Sequence, residues 1–345
     1  MKHLTQAAPA VISWLNEGEK YALVGLKVKL DEDIPLTQLT LRHWIAADPG
    51  FTIPGHWREW LGSLRTEELD GVNLFLISRM PSDRPEVLDD ENQLLTRLVS
   101  NFYTGLLLSS NFSPAYRPVM LTGSRRNGEI DIRSQSDWDT PIPHSIHRYP
   151  AILKPEIESA AHLAAALERA RADAPNRSYW RFFRTLALYT EARTIRDNLE
   201  RLHQYCRCIE GLILASPGDT KRQFKSRTEL FIGPRHHDMM GEMYDVRSAV
   251  EHLHEQRYLE QFERDVRLGL LQKEVVAEHI ARTCLARIAG NDAILHHFAN
   301  SSALSEFWTL PAAERSKIWG DPINPMDALA GYSPRYISDG ELGGP

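Results

Sequence analysis

Apolar positions change their period once along the chain, from about two to between three and four, and the change falls in a proline-rich stretch. From Tyr21 to about Pro143, dense Gly and Pro punctuate short apolar runs, YALVGLKVKL, GVNLFLIS and PVMLTG, which predict strands. In the first run Leu26-Lys27-Val28-Lys29-Leu30 alternates apolar with polar, the period of a strand with one wet face. NQLLTRLVSNFYTGLLL predicts a helix inside this β-rich half. GSRRNG, from Gly123 to Gly128, reads as a hairpin turn because Asn-Gly accepts the positive φ of a type I′ turn. It lacks the Lys-Ser/Thr ending of a phosphate loop.

SDWDTPIPHSIHRYPAILKP then denies both ladder bonds and helix continuation, placing a boundary between Pro141 and Pro155. Beyond it LKPEIESAAHLAAALERARADA opens a helix with Pro155 and Glu156 in the first turn and stops near Pro175. From Tyr179 to Leu214, apolar residues mostly three or four apart predict two amphipathic helices broken near Arg196 to Asn198. TKRQFKSRTELFI forms the next, with Phe224, Arg227, Thr228 and Phe231 on one side and Gly233-Pro234 as its stop. MMGEMYDVRSAVEHLHEQ follows, and helix resumes from Arg257 to about Ala299. After Pro311 periodicity is lost, which predicts an irregular tail. The expected organisation is an α+β domain over 1–145, an all-α bundle with its preceding helix over 146–310, and a tail over 311–345.

Composition narrows the function classes. Lys plus Arg number 40 against 46 Asp plus Glu, a net charge of −6, so nucleic acid would have to be met by a local basic patch. Cys206, Cys208 and Cys284 form neither a paired disulfide framework nor a four-ligand zinc site, which fits a reducing compartment. No apolar run reaches the length of a membrane span, and AVISWL is interrupted too early for a signal sequence. The expectation is a soluble cytoplasmic protein without a membrane partner.

Candidate chemistry concentrates in the helical half. His236-His237-Asp238 and His252-x-His254 invite a metal reading, but adjacent and alternate helical residues point apart, so no metal site is expected. Lys221, Arg222 and Lys225 read either as phosphate contacts for RNA or as a solvated helix face. Glu210 reads as a structural ion-pair partner, with Arg227 favoured as its mate, or as the group that orients an active-site Arg. An Arg-x4-His pair, Arg247 and His252, stands in YDVRSAVEH with Ser248 in the polar slot after the Arg.

The order of these parts, from CIEGLIL through KRQFKSRTELF to YDVRSAVEH, resembles the Apea-like branch of the HEPN superfamily over roughly Tyr179 to Ala289. The resemblance implies a helical bundle in which the Arg and His of two protomers meet in one cleft, and where many members cut RNA without metal or cofactor. Carried over, it assigns Arg247 and His252 as catalytic with Ser248 in the polar slot after the Arg, while Glu210 and Arg227 are supporting polar residues whose structural role is preferred. It implies a setting in bacterial toxins or anti-phage defence. An inactive bundle that binds RNA or protein as a scaffold is the alternative, and the first domain would then serve as sensor or partner-binding module for an unknown ligand or protein. Where relatives often have Gly after the His, this chain has Leu253-His254-Glu255. Five residues along an ideal helix rotate by about 140°, so one helix does not present Arg247 and His252 on one face. Either the helix frays near His252 or a homodimer completes the cleft.

Overall fold

The computed structural model describes residues 14–48, 50, 53–142, 151–216, 218–252, 263–330 and 332. The chain is α+β and divides into two compact units. One holds the described residues through Thr140 and those from 151 to Glu168, and the other holds Pro141, Ile142 and those from Arg169 onward.

The first unit is built on an antiparallel sheet of strands β1 (Glu19–Leu26), β2 (Thr37–Gln38), β3 (His43–Ala46), β4 (Leu74–Pro81), β5 (Val119–Arg126) and β6 (Glu129–Asp137), in the order β2-β3-β4-β1-β5-β6. β1 lies between β4 and β5, and every one of its residues is buried. The alternating segment 26–30 is therefore not a half-wet strand, as the pattern suggested: the strand stops at Leu26, and what precedes it is covered on both faces. On one face Tyr21, Leu23, Phe75, Ile77, Leu121 and Ile132 form a core against Trp57 and Leu61 of α1 (Gly55–Leu61) and Leu69 of α2 (Ser63–Asp70). The other face is packed by α3 (Asp90–Ser109), whose N-cap Asp89 closes a capping box with Asn92. Buried Lys20 of β1 reaches Asp89 at 2.7 Å and Glu91 at 2.8 Å, which ties the strand to that helix start. Asn127 (φ 55°) and Gly128 (φ 78°) turn the β5–β6 hairpin.

The helix α4 (Lys154–Asp173) departs from the expected boundary, because its residues through Glu168 belong with the sheet unit and not with the bundle. The cause is contact with α3. A Cβ built on Gly105 would stand 2.3 Å from the carbonyl oxygen of Ala160, so the missing side chain lets the two backbones meet. Glu168 adds bonds from Arg97 (3.0 Å) and Asn101 (3.1 Å).

The second unit is helical: α5 (Trp180–Ala192), α6 (Asn198–Ile213), α7 (Thr220–Ile232), α8 (His237–Glu251), α9 (Arg264–Gly290), α10 (Asp292–Leu295), α11 (Ser301–Thr309) and α12 (Ala312–Trp319). Asp197 caps α6 by accepting from Glu200 N at 2.8 Å, and this is the expected break after α5. α6 packs against α5, α8 and α9, burying Leu202, Tyr205, Cys206, Ile209 and Ile213. The tail is not wholly irregular. α12 starts after Pro311, and Trp319 is buried on Phe231 (ring centroids 4.6 Å apart) with the Arg287 guanidinium 4.9 Å from its ring. Large apolar contacts hold this short helix, which its local periodicity does not announce. The tail beyond Tyr332 and the helix expected between Arg257 and 262 lie outside the described residues.

A buried ionic network crosses α5, α6 and α9. Glu278, 2 % exposed, accepts from Tyr189 at 2.8 Å and Arg282 at 3.0 Å, with Arg193 3.8 Å away. Glu274 meets Arg201 at 2.9 Å, and that guanidinium also donates to the carbonyls of Ile195 and Arg196. Low-dielectric surroundings leave these groups dependent on one another. No described helix is long and apolar enough to cross a membrane.

Candidate functional site

Beside the core face of α6 runs a polar stripe at helical spacing: Glu200, His203, Arg207 and Glu210. α8 buries Met240, Met243, Val246 and Val250, which turns Tyr244, Arg247 and Glu251 toward this stripe. Two polar bonds stitch the helices together. A terminal nitrogen of Arg247 donates to Glu210 Oε2 at 2.9 Å, and His203 Nε2 meets Glu251 Oε2 at 2.6 Å.

Arg247 is mostly shielded. Its side chain is 17 % exposed and that of Glu210 22 %, so their attraction is less screened than that of a surface pair. The guanidinium also lies 5.7 Å from the Tyr244 ring. Its Nε–H is buried and has no acceptor among the described residues. Cys206, packed under the same seam with its Sγ 3.8 Å from the Met243 carbonyl oxygen, is pushed up to about 12 by burial.

Helix α8 ends at Glu251, and His252 is its C-cap with φ −93° and ψ 15°. The imidazole is therefore placed by a residue leaving the helix, not by an ideal fifth position. His252 is exposed, and its N–H donates to the carbonyl of half-buried Ser248 at 3.1 Å. Leu253, His254 and Glu255 lie outside the described residues, so the effect expected of the missing Gly falls there too.

Glu210 pairs with Arg247 and not with Arg227, which corrects the partner favoured from the sequence. Arg227 instead donates to the carbonyls of Ile213 and Leu214, both at 2.6 Å, and lies 5.2 Å from the Trp308 ring. It closes the C-terminus of α6, where cations meet unsatisfied carbonyls favourably. Spacing alone did not decide between the two arginines because the choice depends on how α7 and α8 pack.

The basic stretch is matched acid for base. Lys221 meets Asp245 at 2.7 Å, Lys225 meets Asp238 at 3.2 Å, and Arg222 pairs with Asp219 one turn back. His237 bonds to Glu229, and His236 accepts from Arg235 at 3.0 Å. Among the described residues no group of three His, Cys, Asp or Glu side chains is placed to hold a metal ion.

Sequence reasoning passed over His203. This histidine is 6 % exposed, and its two ring nitrogens face carboxylates, Glu251 at 2.6 Å and Glu200 at 3.5 Å. The hydrogen bond from His203 holds the Glu251 carboxyl below the usual carboxylate range despite some burial, with Arg247 and Arg207 adding attraction. The signal available was the polar stripe itself, interrupted by one imidazole among charged residues. Set beside known protein families, curated proteins and solved structures, the chain matches none.

Proposed function

We propose that the second unit is a ribonuclease bundle of the HEPN kind, which cuts RNA without a metal through Arg247 and His252 in a cleft completed by a second copy of the chain. One observation carries the reading. Arg247 is held by Glu210 through one terminal nitrogen while its buried Nε–H has no acceptor among the described residues, and exposed His252 stands at the end of the same helix. A guanidinium offers five donors in a fixed fork, so the single bond to Glu210 orients it and leaves others for phosphate oxygens.

In the reaction, the imidazole of His252 takes the proton of the RNA 2′-hydroxyl, whose oxygen then attacks the adjacent phosphorus. The bond from phosphorus to the 5′-oxygen breaks, and an imidazolium, supplied by the other copy, protonates that leaving oxygen. Charge rising on the non-bridging oxygens is met by Arg247. Products are a 2′,3′-cyclic phosphate and a 5′-hydroxyl, and DNA is spared because it lacks the attacking group. A setting in toxin action or anti-phage defence rests on the family resemblance alone.

The acid-for-base matching along α7 favours a second reading, a bundle that docks RNA or protein without cutting it. One experiment separates the two. Purified protein is incubated with end-labelled RNA in EDTA, beside Arg247→Ala and His252→Ala variants checked for folding by circular dichroism. Cleavage by the wild type that falls at least about 100-fold in both variants supports the enzyme. Binding without cleavage supports the scaffold, equal cleavage by the variants overturns the assigned residues, and a monomer by light scattering overturns the shared cleft.

A further inference from the structure

The bond between His203 and Glu251 has no place in the reaction described above, and it touches neither the core nor open solvent alone. His203 is 6 % exposed on α6, whereas Glu251 is the last residue of α8, with a side chain 41 % exposed. The last turn of a helix frays unless something outside it supplies a partner. Here the partner is an imidazole fixed on the central helix, at 2.6 Å and therefore in the range of a charge-assisted bond. His203 is itself held from the far side by Glu200, whose carboxylate also accepts from Gln204 at 2.8 Å.

The next residue after this anchor is His252. Its backbone N–H is bonded to Ser248, so the anchored turn fixes where its Cα stands. Arg247 and Glu251 lie four residues apart on α8, one turn, and both face α6. The seam thus holds α8 twice, once at each half of the Arg-x4-His pair.

We infer that His203 is a positioning residue for this site: through Glu251 it pins the end of α8 and so sets the place of His252. The inference rests on the ribonuclease reading for its catalytic consequence, but its structural content is separate. Glu200, His203 and Glu251 form the support, and His252 is what they support. Removing the imidazole frees the α8 end without touching Arg247 or its bond to Glu210.

The test uses the full chain with His203→Leu, His203→Gln and Glu251→Ala. Glutamine can present an N–H near the position of the imidazole Nε2, so His203→Gln keeps the bond to Glu251 that leucine removes. Hydrogen exchange of the amides from Val250 to His252, read by mass spectrometry, is expected to quicken about tenfold or more in His203→Leu, while peptides of α9 stay unchanged. RNA cleavage is expected to lose kcat by about tenfold or more with KM little changed, and His203→Gln to restore most of both readouts. Should His203→Leu fail to fold, Glu251→Ala, which removes the acceptor from the exposed side, is expected to quicken exchange in the same amides. Unchanged exchange in folded His203→Leu or Glu251→Ala overturns the inference, as does a His203→Gln protein that behaves like His203→Leu. Absence of cleavage by the wild type overturns the ribonuclease reading instead, and the exchange data still decide the role of His203.

Discussion

Glu278 shows how differently two ion pairs in one unit respond to loss of a partner. Its carboxylate is 2 % exposed and faces Arg282, Tyr189 and Arg193, so Glu278→Ala leaves buried cations without their anion. The expected loss is about 3–5 kcal/mol of stability, measured as a fall in the urea midpoint of the second unit. Lys221→Ala, which breaks the exposed pair with Asp245, is expected to change the same midpoint by about 0.5 kcal/mol or less. Equal effects would mean that water reaches the network freely. The same contrast explains what could be read from the sequence at this scale. Arg247 and His252 are legible as a spaced pair in YDVRSAVEH, but the mate of Glu210 is not, because two arginines at different distances along the chain compete for it. His203 is marked only by its place in the polar stripe of α6, and its partner Glu251 has no spacing signature because it lies on another helix.

Elements are legible where their period is long and their ends are marked. α3 combines an apolar face with a capping box at Asp89, and the β5–β6 turn is written in Asn127-Gly128. β1 is less legible because a central strand covered on both faces loses the alternation that a half-exposed strand keeps. α12 is eight residues long and depends on Trp319 meeting Phe231, a contact that no local window contains. The allegiance of α4 was hidden for a similar reason, since it turns on a glycine more than fifty residues upstream. Gly105→Ala tests that packing. The added Cβ would press on the Ala160 backbone at 2.3 Å, and backbone cannot rotate aside as a side chain can. A loss of about 3 kcal/mol is expected in thermal or urea unfolding of the first unit. A change near zero would show that α4 slides along α3 without cost.

For the whole chain, the change of period marks the passage from sheet to bundle, whereas the contact boundary lies within α4, at Glu168 and Arg169. Net charge of −6 is consistent with a molecule whose basic stretch on α7 is neutralised by its own carboxylates. All three cysteines sit in the second unit and are buried, and burial raises every one of their thiols above the ordinary range. Only the thiolate attacks an alkylating reagent, so each thiol is silent until its surroundings open. Cys206 lies under Arg247 and Glu210, while Cys284 lies in α9. The protein therefore contains its own pair of clocks. Under iodoacetamide, peptide mass spectrometry should find Cys206 in Arg247→Ala alkylated about tenfold faster than in the wild type, with Cys284 unchanged. Equal acceleration at both would mean that the seam does not open by itself and that the bundle comes apart as one piece.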